Sequence, residues 1–600
     1  MCGLLFESSN RLLVKNKFNN LLRLSKKRGP DYQGYWTNNV NVQMGFNRLS
    51  IMDVSSNGNQ PMLSSNQRWV ILFNGEIYNH LSLRKNCKYN FQGLSDSESL
   101  LANIQNYGFE NSIKKLKGMF AIVAFDKMQN KIYIARDYSG IKPLFYYFKE
   151  ECIVISSQFD QIFKYPKVKE KIQLNRELVG SYFSLGYMQS PETIFNHILQ
   201  VLPGQMITIT NNFEIKKTIF KQYYPKKKIF NYNNFNSDIL LEKLDKVVKE
   251  HIISDVPIAT FLSGGIDSPL ITALAYKYNK NITAYTIGVD DVEFDESNQA
   301  IEYAKKIGIN HKIIFYSKNE LLESIDDHFS CYNEPFGDYS SLPTFLISRY
   351  ASEKNKVMLS GDGGDELFWG YPRMMNVNKH LHWFYLSKKY RKYFSYVLRK
   401  FGIDLSYSIN NFNSIQDWYL DIHSYISQEK VNSFFNEPVG LSQSVENIYY
   451  KHFDLNKKDQ LLYLRWNEFY AHLQKILIKV DRASMGNSLE VRVPFLDSRI
   501  VDFAWDLEPW TLKSNQSLKY ILKDALCKII DSKKINVVKS GFGVPLKKWM
   551  LNELKEEIQD LIFCSDIFGS EILDQSQIRN YIQQFYNNEI INERGIWHIY

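Results

Sequence analysis

"VPIATFLSGGIDSPLITALAYKYN", residues 256–279, decides the fold of the larger part of this chain. Its apolar start reads as a buried strand, "LSGGIDSP" as a glycine loop, and the remainder as a helix. Downstream, "NITAYTIGV" (281–289) reads as a strand, "ESNQAIEYAKKIG" (296–308) as a helix and "HKIIFYS" (311–317) as a strand. Strands alternating with helices at this spacing predict a parallel α/β sheet with crossover connections. From about residue 375 the pattern is mostly helical.

The glycine loop also predicts chemistry. Free N–H groups where a strand feeds a helix form a cradle for an anion. Pro269 suits the first helical turn, where its missing N–H costs nothing. No Gly-Lys-Ser/Thr closes the loop, so it is not a Walker A motif. Asp267 lies inside the cradle. A carboxylate beside a phosphate needs a cation between them, which predicts Mg²⁺.

A second glycine-acid loop follows, "VMLSGDGGDELFWGY" (357–371), with Asp362, Asp365 and Glu366 within five residues. Like charges so close call for a metal or a cationic partner. Leu367 stands where an EF-hand needs glycine, so a calcium loop is excluded. "QKILIKVDRASM" (474–485) places Lys475, Lys479 and Arg482 on one helical face. Apolar neighbours flank Lys479, which suits a lysine held near a leaving pyrophosphate; taken alone, the three residues read more simply as a solvated basic stripe.

Upstream, residues 1–210 carry short β-rich runs such as "RWVILFNGEIYN", "MFAIVAFD" and "KIYIARD", with a helical spacing in "SESLLANIQNYGF". This predicts antiparallel sheet plus helices, an α+β layer. The polar, aperiodic stretch "PKKKIFNYNNFNSD" (225–238) is the linker candidate. The 600 residues predict two to four domains. The net charge of +9 is modest for that length. One stretch, "FYLSKKYRKYFSYVLRK" (384–400), is basic and aromatic. Its simplest reading is a solvated helix face, with nucleic acid or an anionic membrane as the alternative. Six widely separated cysteines point to a reducing compartment. No apolar run approaches the ~20 residues that span a bilayer. The expectation is a cytoplasmic protein with no nucleic-acid or membrane partner.

Together these motifs resemble the asparagine synthetase family. "LSGGIDS", "EFDESNQAIEYAKKIGINH", "NEPFGDYSSLP", "LSGDGGDELF", "KVDRASM", "SLEVRVPFLD" and "KSGFGVPLKKW" match its synthetase half in order. "MCG", "RGPDYQG", "NRLSIMD", "FNGEIYN", "LSDSE" and "RDYSGIKPL" resemble a class II glutamine amidotransferase. Departures are Tyr138-Ser139, Gln158, Asn333 and Trp369, the last where glycine is common.

The resemblance implies two domains. Residues 2–215 would form an N-terminal α+β, Ntn-hydrolase-like αββα sandwich, and 216–238 a linker. Residues 239–600 would form a C-terminal α/β, HUP-like adenylating domain with a largely helical end. It implies removal of Met1, leaving Cys2 as nucleophile with its α-amino group as base; such an amine has a pKa near ~7.7–8. Asn74 and the Gly75 N–H would form an oxyanion hole. Arg48 would pair the α-carboxylate of glutamine, bidentately where geometry allows, and Glu76 and Asp96 its α-ammonium. Leu262, Ser263, Gly264, Gly265, Asp267, Ser268, Ile287, Ser360, Gly361 and Asp362 would hold ATP and its pyrophosphate. Asp267 and Asp365 would bind Mg²⁺, and Lys479 would offset the charge of the departing pyrophosphate. The implied reaction hydrolyses glutamine, adenylates aspartate and passes ammonia along an internal tunnel to the acyl-adenylate. The alternative acceptor is another carboxylate, such as a uronic acid of a nucleotide sugar for surface polysaccharide. Partners would be small molecules, with a homodimer as the assembly to test.

Overall fold

The computed structural model describes residues 2–225, 236–289, 295–400, 407–453, 460–507, 518–530, 543–564 and 569–600. Residues 226–235 of the expected linker and the start of "KSGFGVPLKKW" (539–542) lie outside the described residues.

The first half is two six-stranded antiparallel sheets, face to face. One contains β1 (Gly3–Ser9), β2 (Tyr32–Thr37), β3 (Val42–Arg48), β8 (Phe145–Lys149), β9 (Cys152–Ser156) and β10 (Ile198–Gln200), in the order β10-β8-β9-β1-β3-β2. The other contains β4 (Met62–Leu63), β5 (Trp69–Ile77), β6 (Gly118–Asp126), β7 (Lys131–Arg136), β11 (Gln205–Ile209) and β12 (Ile215–Ile219), in the order β12-β11-β7-β6-β5-β4.

Side-chain alternation explains the layering. Strand residues point to opposite faces in turn, so a strand apolar at every position has both faces covered. In β1, Leu4 and Phe6 enter the core between the sheets, while Leu5 faces the helix Lys15–Arg23 side with Phe18 and Leu22. In β5, Val70 and Leu72 point inward, and Ile71 and Phe73 meet Leu100, Leu101 and Ile104 of the helix Asp96–Tyr107. The result is the expected αββα sandwich. One boundary differs: β12 pairs with β11, so residues 216–219 of the expected linker are an edge strand.

The second half contains the predicted parallel sheet: β13 (Ile258–Phe261), β14 (Thr283–Val289), β15 (Asn310–Tyr316), β16 (Val357–Leu359) and β17 (Glu490–Arg492), in the order β15-β14-β13-β16-β17. All its pairings are parallel. The chain runs outward from β13 to β15, then returns to the other side of β13. The crevice beyond the strand ends between β13 and β16 is therefore a topological switch point, where open α/β sheets bind ligands. Helices dominate thereafter.

The halves share one core. The cluster around the parallel sheet continues into the first half through Leu49, Met119, Tyr138 and Phe183. Buried ions cross the same interface. Arg28 donates from Nη1 and Nη2 to Asp481 at 2.9 and 3.1 Å, and from Nε to the Cys2 carbonyl at 3.3 Å. Burial opposes the charge on Asp481, but Arg28 and Arg482 prevail and hold its carboxyl well below the usual range. Its stabilising contribution is thus present above the unfolded carboxylate value of about 3.9 and lost as pH falls below it. Arg28→Met should cost about 3–5 kcal/mol, read from denaturant midpoints at pH 7. The difference from the parent chain should shrink steadily below about pH 4.

Candidate active sites

The first site lies at the start of β1. Its cavity of about 30 Å³ is lined by Cys2, Arg48, Leu49, Gly75, Glu76, Asp96 and Glu490, among others. Cys2 N donates to Asn74 Oδ1 at 2.8 Å, and burial pushes the Cys2 thiol upward. Asn74 is fully buried, and among the described residues its Nδ2 has no hydrogen-bond partner. An unmatched buried amide donor beside a thiol is costly unless a ligand oxygen uses it. Gly75 follows on β5, where a Cβ would meet the Met119 carbonyl oxygen of β6 at 2.0 Å. Only glycine lets the two strands pair there.

Arg48 lines this cavity, but its fork is committed. Nη1 donates to Ser55 O (2.7 Å) and Asn59 Oδ1 (2.8 Å), and Nη2 to Met52 O (3.2 Å) and Asp53 O. The expected bidentate pairing with a substrate carboxylate is not available in this arrangement, because the 52–59 loop occupies both terminal nitrogens.

Three carboxylates face the cavity. Asp96 accepts from Ile77 N at 2.9 Å, and burial raises it to about 6. Burial also lifts Glu76 well above the usual range, against the pull of Arg492. Burial opposes ionisation of Glu490 too, but neighbouring cations, Arg492 among them, hold it at about 2. Arg492 was not anticipated from sequence. It is fully buried and donates to Glu490 (2.7 Å), Glu76 (3.0 Å) and the carbonyls of His251 and Ile253 (2.7 Å each).

The second site occupies the switch point, a cavity of about 710 Å³. Leu262, Ser263, Gly265, Asp267 and Ser268 line it from the loop after β13, and Ser360, Gly361, Asp362 and Asp365 from the loop after β16. The helix Asp267–Tyr278 has no side-chain cap. Ser268 Oγ instead accepts from Ser263 N at 2.9 Å and fixes the loop. Two further glycines allow the loops to meet. A Cβ on Gly361 would stand 2.6 Å from Ser268 N, and one on Gly364 2.5 Å from Asp267 Cγ.

Asp267 and Asp365 converge on one ammonium, Lys519 Nζ, which is 2.8 Å from Asp365 and also bonded to Asp267. Burial disfavours that charge, but the two carboxylates outweigh it and raise the lysine. Lys519 escaped the sequence reading. It sits 252 residues from Asp267 with no glycine loop or periodicity to mark it. Lys479 lines the cavity as expected, with Nζ donating to Ser340 Oγ at 3.3 Å. Lys475 and Arg482 are buried rather than solvated, bonded to Leu185 O (3.1 Å) and Glu334 Oε1 (2.7 Å).

Two expected nucleotide residues do not reach the cavity. Ile287 is buried in the core beneath it, and Gly264 donates its N–H toward Glu296 at 3.3 Å. Trp369 stands at φ 53°, in the left-handed region that favours glycine, and is held by burial and by Arg465 4.8 Å over its ring. At the cavity wall, where His472 lines it, His423, Glu468 and His472 bring ligand atoms within 4.8 Å of one another. Arg373 already donates to both Glu468 oxygens at 2.7 and 2.5 Å, so a guanidinium fills the cation's role.

One strand joins the sites. In β17, Glu490 lines the thiol cavity and Val491 lines the switch-point cavity. Alternation along a strand puts the two on opposite faces.

Residues 240–600 match the asparagine synthase family, and residues 1–224 the glutamine amidotransferase domain family. Glutamine-hydrolyzing asparagine synthetase 1 of Bacillus subtilis is 30% identical over 604 residues, covering 95% of this chain and 90% of its own. A putative glutamine-hydrolyzing asparagine synthetase 2 of Methanocaldococcus jannaschii is 30% identical over 523 residues, covering 80% and 98%. Amidase chry2 of Gibberella zeae is 24% identical over 626 residues, covering 95% and 91%. This chain belongs to the glutamine-hydrolysing asparagine synthetase family, and is an ATP-dependent ligase that draws its nitrogen from glutamine.

Proposed function

We propose that aspartate is the acceptor and that the product is asparagine. The observation carrying the two-site mechanism is that a thiol pocket and a nucleotide-sized cavity lie on opposite faces of β17. The acceptor itself rests on similarity to relatives named asparagine synthetases.

At the first site, loss of Met1 frees the Cys2 nitrogen, which already lies against Asn74. Because burial raises the thiol, a base at hand matters more here than for an exposed cysteine. The α-amino group takes the proton, and sulfur attacks the amide carbon of glutamine. Asn74 Nδ2 and the Gly75 N–H receive the developing oxyanion. Ammonia leaves, and water then cleaves the thioester to glutamate. Asp96 and Glu490 supply the negative field for the α-ammonium, and Glu76, whose charge burial disfavours, supplies an acceptor oxygen. Arg48 contributes positive charge near the α-carboxylate and holds the 52–59 loop. The cavity of about 30 Å³ has room for about two waters, so its lining must give way to admit glutamine.

At the second site the acceptor carboxylate attacks the α-phosphorus of ATP and displaces pyrophosphate. The loop residues Ser263, Gly265 and Ser268 hold that anion, and Ser360, Gly361 and Asp362 face it across the cavity. Asp267 and Asp365 fit Mg²⁺, since they already share one cation, Lys519. When bound, Mg²⁺ offsets the triphosphate charge. Lys519 and Lys479 neutralise charge on the leaving pyrophosphate. Ammonia then attacks the acyl-adenylate and AMP leaves. A closed path between the sites keeps the ammonia unprotonated. The work falls to residues 2–215 and 239–600, and five cysteines unpaired among the described residues suit a reducing cytoplasm. Amidation of another carboxylate is the second reading, favoured by the similarity to a relative named an amidase.

The deciding assay supplies glutamine and ATP with a panel of acceptors that includes aspartate and a nucleotide-linked uronic acid. Asparagine forms on the first reading, and only a different amide on the second. In the same assay Cys2→Ala abolishes the glutamine-dependent product and retains the ammonia-dependent one. Lys519→Met should lower ammonia-dependent synthesis by about 10²–10³-fold, with glutamine hydrolysis in the same preparation unaffected. Asp96 is raised to about 6, so it becomes neutral below that pH and releases its hold on the ammonium. The glutamine KM should therefore rise as pH falls through about 6, and Asp96→Asn should raise KM and flatten that profile.

A further inference from the structure

Residues 367–403 contain eight Lys and Arg and no Asp or Glu, against a net charge of +9 for the whole chain. One segment thus carries nearly all the excess. Its centre is the helix Lys388–Lys400. The helix is fixed to the protein along one side. Arg391 is buried, donates to the carbonyls of Leu386 (3.1 Å) and Phe412, and lies 4.3 Å over the Phe384 ring. Phe384 stacks on Trp418, and Asn410 donates to Ser395 Oγ at 2.6 Å.

That anchoring fixes what the opposite side presents. Tyr390, Tyr393 and Tyr396 are 61%, 64% and 63% exposed, and Lys389, Lys392 and Lys400 are exposed among them. Phe394 is 42% exposed at the flank. An ordinary solvated helix face mixes Lys with Glu and leaves few large aromatics in water. Here every exposed charge is positive, and tyrosine recurs at each turn.

We infer that this helix face docks the enzyme reversibly on an anionic lipid surface. Tyrosine and lysine share one plane at a headgroup layer, the ring in the interface and the ammonium among phosphates. The face is a single convex helix surface, which suits a flat partner better than the channel that tracks a nucleic-acid strand. No helix among the described residues is long and apolar enough to cross a membrane, so contact would be peripheral. Each lysine held at such a surface raises partitioning about fivefold.

The test is flotation of the full chain with vesicles of phosphatidylcholine, with and without phosphatidylglycerol, at low and physiological salt. Binding is expected only with phosphatidylglycerol, and weaker as salt rises. The triple variant Lys389→Gln, Lys392→Gln, Lys400→Gln should bind about a hundredfold less. Tyr390→Ser, Tyr393→Ser, Tyr396→Ser should bind less at both salt concentrations. Unchanged glutamine hydrolysis reports that each variant is folded. Failure to bind anionic vesicles at low salt, or binding that ignores both variants, overturns the proposal. So does a lysine-dependent affinity for a single-stranded RNA oligomer that exceeds the affinity for vesicles.

Discussion

A guanidinium with no solvent exposure holds this molecule together. Arg492 leaves water entirely, at a cost on the order of several kcal/mol. The cost is offset because four hydrogen bonds and two carboxylates receive it. One of those carboxylates, Glu76, belongs to the first half; the other acceptors belong to the second. Arg28 and Asp481 repeat the arrangement a short way along the same interface. Ions buried this way resist separation, since parting them strands a charge in an apolar medium. The shared apolar core does the same without direction. The pairs add register: they set which strand of one half faces which pocket of the other.

The nucleotide-side cavity depends on a different constraint, the absence of side chains. Two loops from neighbouring strands approach within a Cβ's reach at Gly361 and Gly364. That approach brings Asp267 and Asp365 near enough to share Lys519. Like charges so close are tolerable only with a cation between them. The glycines and the lysine are therefore two parts of one solution.

The sequence made local features legible and long-range ones obscure. Continuous apolar runs such as Val70–Phe73 and Phe120–Phe125 marked strands, and the packing shows that both their faces are covered. The glycine loops declared the switch point. Cys2, Asn74, Glu76 and Asp96 were readable as a set through their flanking motifs, and the structure brings them together. Arg28–Asp481 and Arg492–Glu76 are separated by 453 and 416 residues, and no periodicity couples such positions. Lys475 and Arg482 look in sequence like a wetted basic stripe; burial by the other half makes them interface residues. Arg48 was found, but its loop partners were not, because carbonyl acceptors leave no trace in residue type.

Strand β17 is three residues long and has cavities on both faces. An insertion or deletion there would shift its reading by one position and exchange Glu490 and Arg492 with Val491. A charged pair would then point into the nucleotide chamber, and a valine would replace the ions beside the thiol. Both half-reactions would fail from a single change in length, though no catalytic side chain had been replaced. Length at 490–492 is thus constrained as tightly as the buried charges of Glu490 and Arg492, and only Val491 leaves room for an apolar substitution.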